Sequence, residues 1–587
     1  MNCGEPPRIA RVLPDVTGLD KEFDYLIPDD LVGRLAVGEI VRVRLHGRSV
    51  RGWVTALDPT DGGIEQSLLQ PIVKRSSLGP SPDLVGLARW ASVRWAAGRL
   101  RPFLVTASPP VTVPSLNAAS PGVPIEKPSS AVAQRADDVL VRGGGVLLLP
   151  PATSPIDAIV TAATRGRTLV VMPTAARAEA MAAALQRRGL RTAVVPQQWA
   201  RAAGGVDVVI GARAAAWAPC PGMAVAVVID EHDETLQEER APTWHARDVL
   251  VERARRVAIP LLATSPCPSV TGVAVIADVV ERLPASVERA GWPIVDVVDR
   301  SDEEPWKTSL LSSALIRELR RQQAKVVCVH NTPGRGRVLA CRTCRALARC
   351  ERCDAAVSLS DESTFHCARC GAERPPVCLE CGAAGFANLR PGVTRLREEL
   401  EAAAGRPVVA VTGKDDERPA EASVYVGTEA VLHRVHRADV VAFVDFDREL
   451  LAPRYRANEQ AMALLTKAAR LLGPRERGGR LMIQTFLPGH EVIQAALLAD
   501  PLRLLEPERS RRELFGMPPA TALAHVSGPG SGAVIDQLRD VHGVTIGGAV
   551  DNYLVRAGTW EQLGRALIAT ERPKGSRVRV AVDPPRV

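Results

Sequence analysis

Lysine is almost missing from this chain. Only eight of the 74 basic residues among its 587 are lysine, and none falls between Lys127 and Lys307. Any chemistry that needs an ammonium group in that long stretch is thereby excluded. Aromatic residues are also sparse, at 4% of the chain. No apolar run approaches the roughly 20 residues needed to cross a bilayer. The start "MNCGEPPRIARVLPD" shows no basic segment followed by an apolar one, so the expectation is a cytoplasmic protein with no membrane partner. What is present is globular: 46% hydrophobic and 24% charged residues, in a length that suits three or four domains. The net charge of +8 and pI near 9.0 have two readings. One is a polyanionic partner such as nucleic acid; the other is a coding bias that favours arginine.

The twelve cysteines are unevenly placed, nine of them lying between Cys328 and Cys381. Eight form CxxC pairs: Cys341 and Cys344, Cys350 and Cys353, Cys367 and Cys370, Cys378 and Cys381. Two residues between cysteines let one tight turn aim both sulfurs at one ion, and two such turns complete a tetrahedral zinc site of four sulfurs. Two Zn2+ ions are expected, structural because a closed four-sulfur site leaves no open position. Spacing leaves open which pairs share an ion. Residues 335–374 carry eight arginines against five acids. Four thiolates around each Zn2+ nearly cancel that excess, so these arginines either contact nucleic acid or neutralise their own metal centres.

Residues 1–107 read as a β-rich unit, closed by a helical stretch in which Trp90 and Trp95 interleave with Arg89, Arg94 and Arg99. Such tryptophans either stack on bases or form core. Residues 108–138 are rich in Pro, Ser and Ala and read as a linker. Short apolar strands then alternate with Ala/Arg-rich helical segments, which predicts parallel, doubly wound sheets: one lobe over 139–300 and a second over 301–504, interrupted by the cysteine segment 338–384. Residues 505–587 read as a small α/β domain. The fold class expected is α/β multidomain.

The strand "VAVVIDEHD" ends in Asp230 and Glu231, as strands do that present carboxylates to a magnesium-bound triphosphate. A phosphate loop should follow the first strand of that lobe, with glycine N–H groups as a cradle and a lysine beyond. The matching segment is "GVLLLPPATSPIDAIV", where Pro150, Pro151 and Pro155 have no N–H to donate and no glycine follows the strand. Gly143, Gly144 and Gly145 precede the strand, and the lone "TGKDD" around Lys414 is too common a pattern to serve.

Taken in order, these motifs resemble the PriA family, primosomal N′ proteins that restart bacterial replication as two-lobed DNA translocases with a zinc-binding insertion. The resemblance rests on "FDYLIP" (23–28), "IGARAAAWAPC" (210–220), "IDEHDETLQEERAPTWHARD" (229–248), the four CxxC pairs, "VGTEAV", "VDFD" and the ending "VRVAVDPP". It implies a β-rich N-terminal DNA-binding domain, two RecA-like helicase lobes, a zinc-ribbon insertion in the second lobe and a small α/β C-terminal domain. It also implies a pocket for the 3′ end of a leading strand, carried over to Phe23, Asp24, Tyr25 and Gly47, with Gln70 where the family has a lysine. The alternation of a strand allows instead that Phe23 or Tyr25 is core. By the same resemblance, Cys341, Cys344, Cys378 and Cys381 share one zinc, and Cys350, Cys353, Cys367 and Cys370 the other.

The chain departs from the family pattern at the lost phosphate loop and again at "TKAARLLGP", where Lys467, Leu471 and Pro474 replace a glutamine and two arginines. The winged-helix segment of the family is not found. The expectation is a monomeric, nucleoid-associated fork-recognition protein on a motor scaffold without catalytic residues, Asp230 and Glu231 being relics or structural and ATP a doubtful ligand. Its partners by resemblance are branched DNA forks, single-stranded DNA, primosome proteins, single-stranded DNA-binding protein and the replicative helicase. The alternatives are an ATP-dependent 3′–5′ helicase with an atypical nucleotide site and a zinc-organised RNA-binding or scaffolding protein.

Overall fold

The computed structural model describes residues 8–60, 69–116, 124–301, 310–331, 339–361, 364–367, 369–388, 393–411, 419–573 and 575–587. Lys307 and Lys414 lie outside the described residues. Alternating apolar positions put Ala10, Val12, Tyr25, Val41, Val43 and Val54 on one inner face of a five-stranded antiparallel sheet. Its strands are β1 (Ile9–Pro14), β2 (Phe23–Leu26), β3 (Ile40–Leu45), β4 (Arg48–Leu57) and β5 (Lys74–Ser77), in the order β2-β1-β4-β3-β5. The two ends of the sheet meet through a bridge between Leu26 and Pro71, so the sheet curls on itself. His46 and Gly47 turn β3 into β4 with φ of 48° and 77°, the left-handed pair that a two-residue hairpin requires.

The helix Pro82–Arg94 ties this domain to the rest. Trp95 is buried and meets Trp90 edge-on at 5.2 Å. The Arg94 guanidinium lies 3.7 Å from the Trp560 ring centroid and bonds the Asp248 carboxylate at 3.2 Å. The interleaved tryptophans are therefore core at a three-domain junction, which accounts for the pattern without bases.

The first lobe contains β6 (Gly144–Leu148), β7 (Arg167–Val171), β8 (Thr192–Val195), β9 (Val208–Gly211), β10 (Met223–Ile229), a small hairpin of β11 (Gln237–Glu238) and β12 (Trp244–His245), β13 (Leu261–Ser265) and β14 (Val280–Glu281). All but the hairpin form one parallel sheet, ordered β14-β6-β13-β10-β7-β9-β8. The expected linker ends earlier than its composition suggests. Ser130 accepts from the Ala133 N–H and starts a helix, Ala131–Val141, whose Val132, Ala136, Val139 and Leu140 pack on this lobe.

The second lobe also begins earlier than expected, with β15 (Ile294–Asp299) paired to the last strand of its sheet. β15 is a half-exposed edge strand, and an edge strand lacks the continuous apolar run by which buried parallel strands are read. β16 (Val326–Val329) follows, then the cysteine module with β17 (Leu339–Cys341), β18 (Ser358–Asp361), β19 (Thr364–His366), β20 (Glu373–Arg374) and β21 (Phe386–Asn388). The lobe resumes with β22 (Val408–Val411), β23 (Val424–Gly427), β24 (Val440–Phe443) and β25 (Arg480–Thr485), giving the parallel order β15-β25-β24-β16-β23-β22. A four-stranded antiparallel sheet, β27-β28-β26-β29, ends the chain: β26 (Ala522–Ser527), β27 (Val544–Ala549), β28 (Asn552–Ala557) and β29 (Arg579–Val582). Its helices 531–538 and 560–569 join a core continuous with the N-terminal helices and the first lobe. Among the described residues no helix is long and apolar enough to cross a membrane.

Candidate functional site

β10 delivers Asp230 and Glu231 to the cleft between the lobes, as its apolar run predicts. Both are buried, at 2% and 0% exposure, and both are already paired. Arg177 donates to the Asp230 carboxylate at 2.6 Å, and Arg470 reaches the same group from the second lobe. Arg470 also donates from Nε to the Pro151 carbonyl at 3.2 Å, so it lies between the acid and the loop where phosphates would sit. Burial alone would raise the Asp230 carboxyl; the two guanidiniums outweigh it and hold the group below the usual carboxylate range. Glu231 accepts from the Ser269 N–H at 2.7 Å, the Ser269 hydroxyl at 2.8 Å and Arg247 at 3.2 Å, and burial pushes its carboxyl up. Of the two readings of these residues, relics or structural, the pairings favour the structural one. Gly272 makes room for Glu231, since a Cβ there would stand 1.9 Å from its carboxylate oxygen.

The loop after β6 offers no cradle. The Ala152 N–H bonds the Gly291 carbonyl at 3.1 Å, the Thr153 N–H bonds Pro150 at 2.9 Å, and the neighbouring prolines have none to give. On the helix Ala457–Leu472, Gln460, Lys467 and Arg470 recur at helical spacing along the face toward the first lobe. Lys467 bonds Glu429 at 2.6 Å. Leu471 is buried and Pro474 precedes a short turn, so neither takes the place of the family's arginines. The end of the chain closes the cleft: Asp583 accepts from Arg456 at 2.6 Å, Pro585 accepts from Gln460 at 3.0 Å, and Arg586 bonds Glu234 at 2.9 Å. What remains beside Glu231, His232, Glu429, Lys467 and Arg586 is a cavity of about 80 Å3, against roughly 300 Å3 or more for typical small-molecule sites. Arg177, Arg247, Arg470 and Asp583 escape a motif-based reading, although the i,i+3 spacing of Lys467 and Arg470 puts two cations on one helix face.

In the cysteine module the sulfurs fall into two groups, Cys341, Cys344, Cys378 and Cys381, and Cys350, Cys353, Cys367 and Cys370, each with all ligand atoms within 4.8 Å of one another. The pairs 341–381, 344–378, 350–370 and 353–367 are 3.6, 3.5, 3.5 and 3.5 Å apart. Four thiolates around zinc at about 2.3 Å stand roughly 3.8 Å apart, so the donor sets fit a tetrahedral ion. Each knuckle repeats C-x-x-C-x-A, with the first cysteine N–H bonded to the alanine carbonyl, at Ala346, Ala355, Ala372 and Ala383. The intervening residue is left-handed in all four: Arg345, Asp354, Gly371 and Gly382, with φ from 61° to 73°. The module is fastened to the second lobe by the Ala356 N–H on the Leu451 carbonyl at 2.8 Å.

At the N-terminal sheet the four pocket residues do not share one face. Tyr25 is core, 4% exposed, with its hydroxyl donating to the Arg44 carbonyl at 3.2 Å. Phe23 packs partly against the same core. Asp24 faces the other side, and Gly47 is exposed in the β3–β4 turn. A role for Tyr25 in stacking on a base is therefore not available without repacking the core.

Residues 11–101 match the family model described as the 3′ DNA-binding domain (3'BD) of PriA. Fold and sites together define a scaffold of two parallel α/β lobes bearing an N-terminal domain that matches the 3′ DNA-binding model and an insertion with two four-cysteine clusters. A probable replication restart protein PriA of Mycobacterium leprae is 28% identical over 89% of this chain and 88% of its own length. That of Mycobacterium tuberculosis is 27% identical over 88% and 85%, and the PriA of Bacillus subtilis 27% over 55% and 43%. Along most of its length the chain is thus similar to proteins named replication restart protein PriA.

Proposed function

We propose that this protein recognises stalled or branched DNA forks through its N-terminal domain and promotes primosome assembly and replicative helicase loading without unwinding DNA itself. The N-terminal domain takes the 3′ end of a leading strand, with Asp24 as acceptor for the terminal hydroxyl. Each four-cysteine set holds one structural Zn2+, and the module contributes shape rather than chemistry. Partners follow from the family: single-stranded DNA, single-stranded DNA-binding protein and the replicative helicase, in the cytoplasm at the nucleoid.

One observation carries the separation from a motor. Arg470 of the second lobe is bonded to Asp230 of the first, in the space that a magnesium-bound triphosphate needs, beside a loop with no free glycine amides. Phosphoryl transfer requires that carboxylate on the metal and the arginines on the phosphates. Here the arginine and the carboxylate satisfy each other, and the lobes are held as a fixed platform. The test is a fluorescent ATP-analogue titration beside a fork-binding titration on the full chain. Fork binding with no saturable nucleotide binding is expected. Fork-stimulated ATP hydrolysis that disappears in Asp230→Asn would establish the helicase reading instead.

A further inference from the structure

Asp24 does not stand alone. It lies on β2 directly across from Arg11 on β1, and Arg11 grips both of its oxygens, from Nε at 2.8 Å and from the terminal nitrogen at 3.1 Å. This is the two-pronged pairing that fixes a carboxylate's plane as well as its position. Beside it, β4 carries one extra residue, Thr55. The β1–β4 register shifts between Arg11 and Val12, and the Thr55 hydroxyl holds the Arg11 carbonyl at 3.3 Å. A bulge of this kind re-aims the side chain beside it. The side chains of Arg11 and Asp24 remain 19% and 10% exposed, enough to meet a ligand.

Two facts set what the pair does. An ionised carboxylate has about four acceptor positions, and Arg11 occupies two of them, leaving about two, enough to accept a hydroxyl. A bare carboxylate at a DNA surface also repels phosphates, and Gln70, exposed beside Leu26, brings no charge to offset it. We propose that Arg11 is a positioning and specificity-determining residue for 3′-end recognition. It holds Asp24 at the angle that accepts a free 3′ hydroxyl and neutralises it toward the rest of the strand, supplying the cation that Gln70 does not. A terminal 3′ phosphate cannot donate to Asp24 and brings like charge against it, so it is rejected. This inference rests on the reading that the N-terminal domain takes a strand end.

The experiment compares affinities of the full chain for forks ending in a 3′ hydroxyl and a 3′ phosphate, using the wild type, Arg11→Met, Arg11→Lys and Asp24→Asn. The wild type is expected to prefer the hydroxyl by about tenfold or more, as a hydrogen bond to a charged group implies. Arg11→Met should bring the ratio close to one, Arg11→Lys should restore part of it, and Asp24→Asn should abolish it. A merely structural ion pair predicts lower thermal stability and equally weakened binding of both forks, with the ratio intact; that result in either Arg11 variant overturns the proposal. If Arg11→Met does not fold, Arg11→Lys decides by the same ratio. A wild type with no preference overturns the 3′-end reading itself.

Discussion

The interlobe cleft and the cysteine module both gather acidic groups, but in different surroundings: Asp230 and Glu231 are buried, whereas Cys344 and Cys381 are exposed. The cleft brings its own cations: Asp230 has Arg177 and Arg470, Glu231 has Arg247, and Glu429 has Lys467. In the module the sulfurs pair off at 3.5–3.6 Å, and within each group of four all ligand atoms lie within 4.8 Å of one another. The carboxylates of the cleft already have cationic partners within the protein; the two sulfur sets are donor sets that could each hold a metal ion.

The largest effect should follow from taking that ion away. Binding of structural zinc is worth about 10–16 kcal/mol in small domains and counts as folding energy. A strong chelator should therefore release two zinc ions per chain and unfold residues 339–388 while the two lobes stay intact. Hydrogen exchange on the chelated protein checks this, with protection lost at the knuckle amides and kept at β10 and β24. Metal analysis giving less than one zinc per chain, or protection lost everywhere at once, would break the contrast.

Next in size is removal of a charge from the cleft. Asp230→Asn keeps the shape, and asparagine tolerates the φ of 55° found there. It leaves two guanidiniums facing a neutral group. Breaking a buried pair in this way costs about 3–5 kcal/mol. Arg470 is 26% exposed and Arg177 36%, so water offsets part of that loss and the lower end is expected. Urea melts of wild type and variant measure it. An unchanged midpoint would mean that the lobes are not held by Asp230.

Much of this contrast is legible in sequence, for uneven reasons. The CxxC pairs are local, and their chemistry follows from spacing; even the repeat C-x-x-C-x-A, with alanine as the hydrogen-bond acceptor each time, is visible once sought. The loss of the phosphate loop is equally local, because proline removes donors wherever it stands. Arg470 is different. Its partner is 240 residues away, and only the approach of two lobes makes them neighbours. Motif alignment instead draws attention to Leu471 and Pro474, one and four residues further on. Tyr25 shows a third kind of limit: strand alternation places it opposite Asp24, but which face is the inner one depends on how the sheet curls. The helix at Ala131 was hidden by the proline-rich composition before it, although Ser130 is an ordinary helix cap.

Acid should separate the cleft from the rest of the chain at a pH where its carboxylates still hold. Burial pushes His232 down to about 4 and His245 down to about 3. A histidine free in the unfolded chain takes a proton near 6.5. Between that pH and about 4 the unfolded state binds more protons than the folded one, so stability falls as pH falls across this window. At pH 5 each histidine should account for about 2 kcal/mol of lost stability. Asp230 acts at lower pH: its depressed carboxyl contributes stability above its unfolded value, near 3.9, and loses it only as pH falls through the folded one. Urea melts at pH 7.5 and pH 5 check the order, with Asp447, whose buried carboxyl is pushed up to about 7, working in the opposite sense, and His232→Gln should remove that histidine's own share of the slope. A slope unchanged in that variant would remove His232 from the account.

The smallest effect belongs to the other paired aspartate. Arg11 and Asp24 make a better two-pronged bond than Arg247 and Glu231, with 2.8 and 3.1 Å against a single 3.2 Å contact, yet they sit where water reaches both. At 19% and 10% exposure the pair is half-buried, so its worth falls between the roughly 0–1 kcal/mol of exposed pairs and the roughly 3–5 kcal/mol lost when a buried pair is broken. Asp24→Asn should therefore shift the melting curve less than Asp230→Asn does. If both variants also leave the cysteine module's exchange unaltered, each kind of site owes its stability to a different counter-ion. A large destabilisation by Asp24→Asn would instead make this pair part of the fold's support, and would leave its exposure at the edge of the N-terminal sheet without a functional reason.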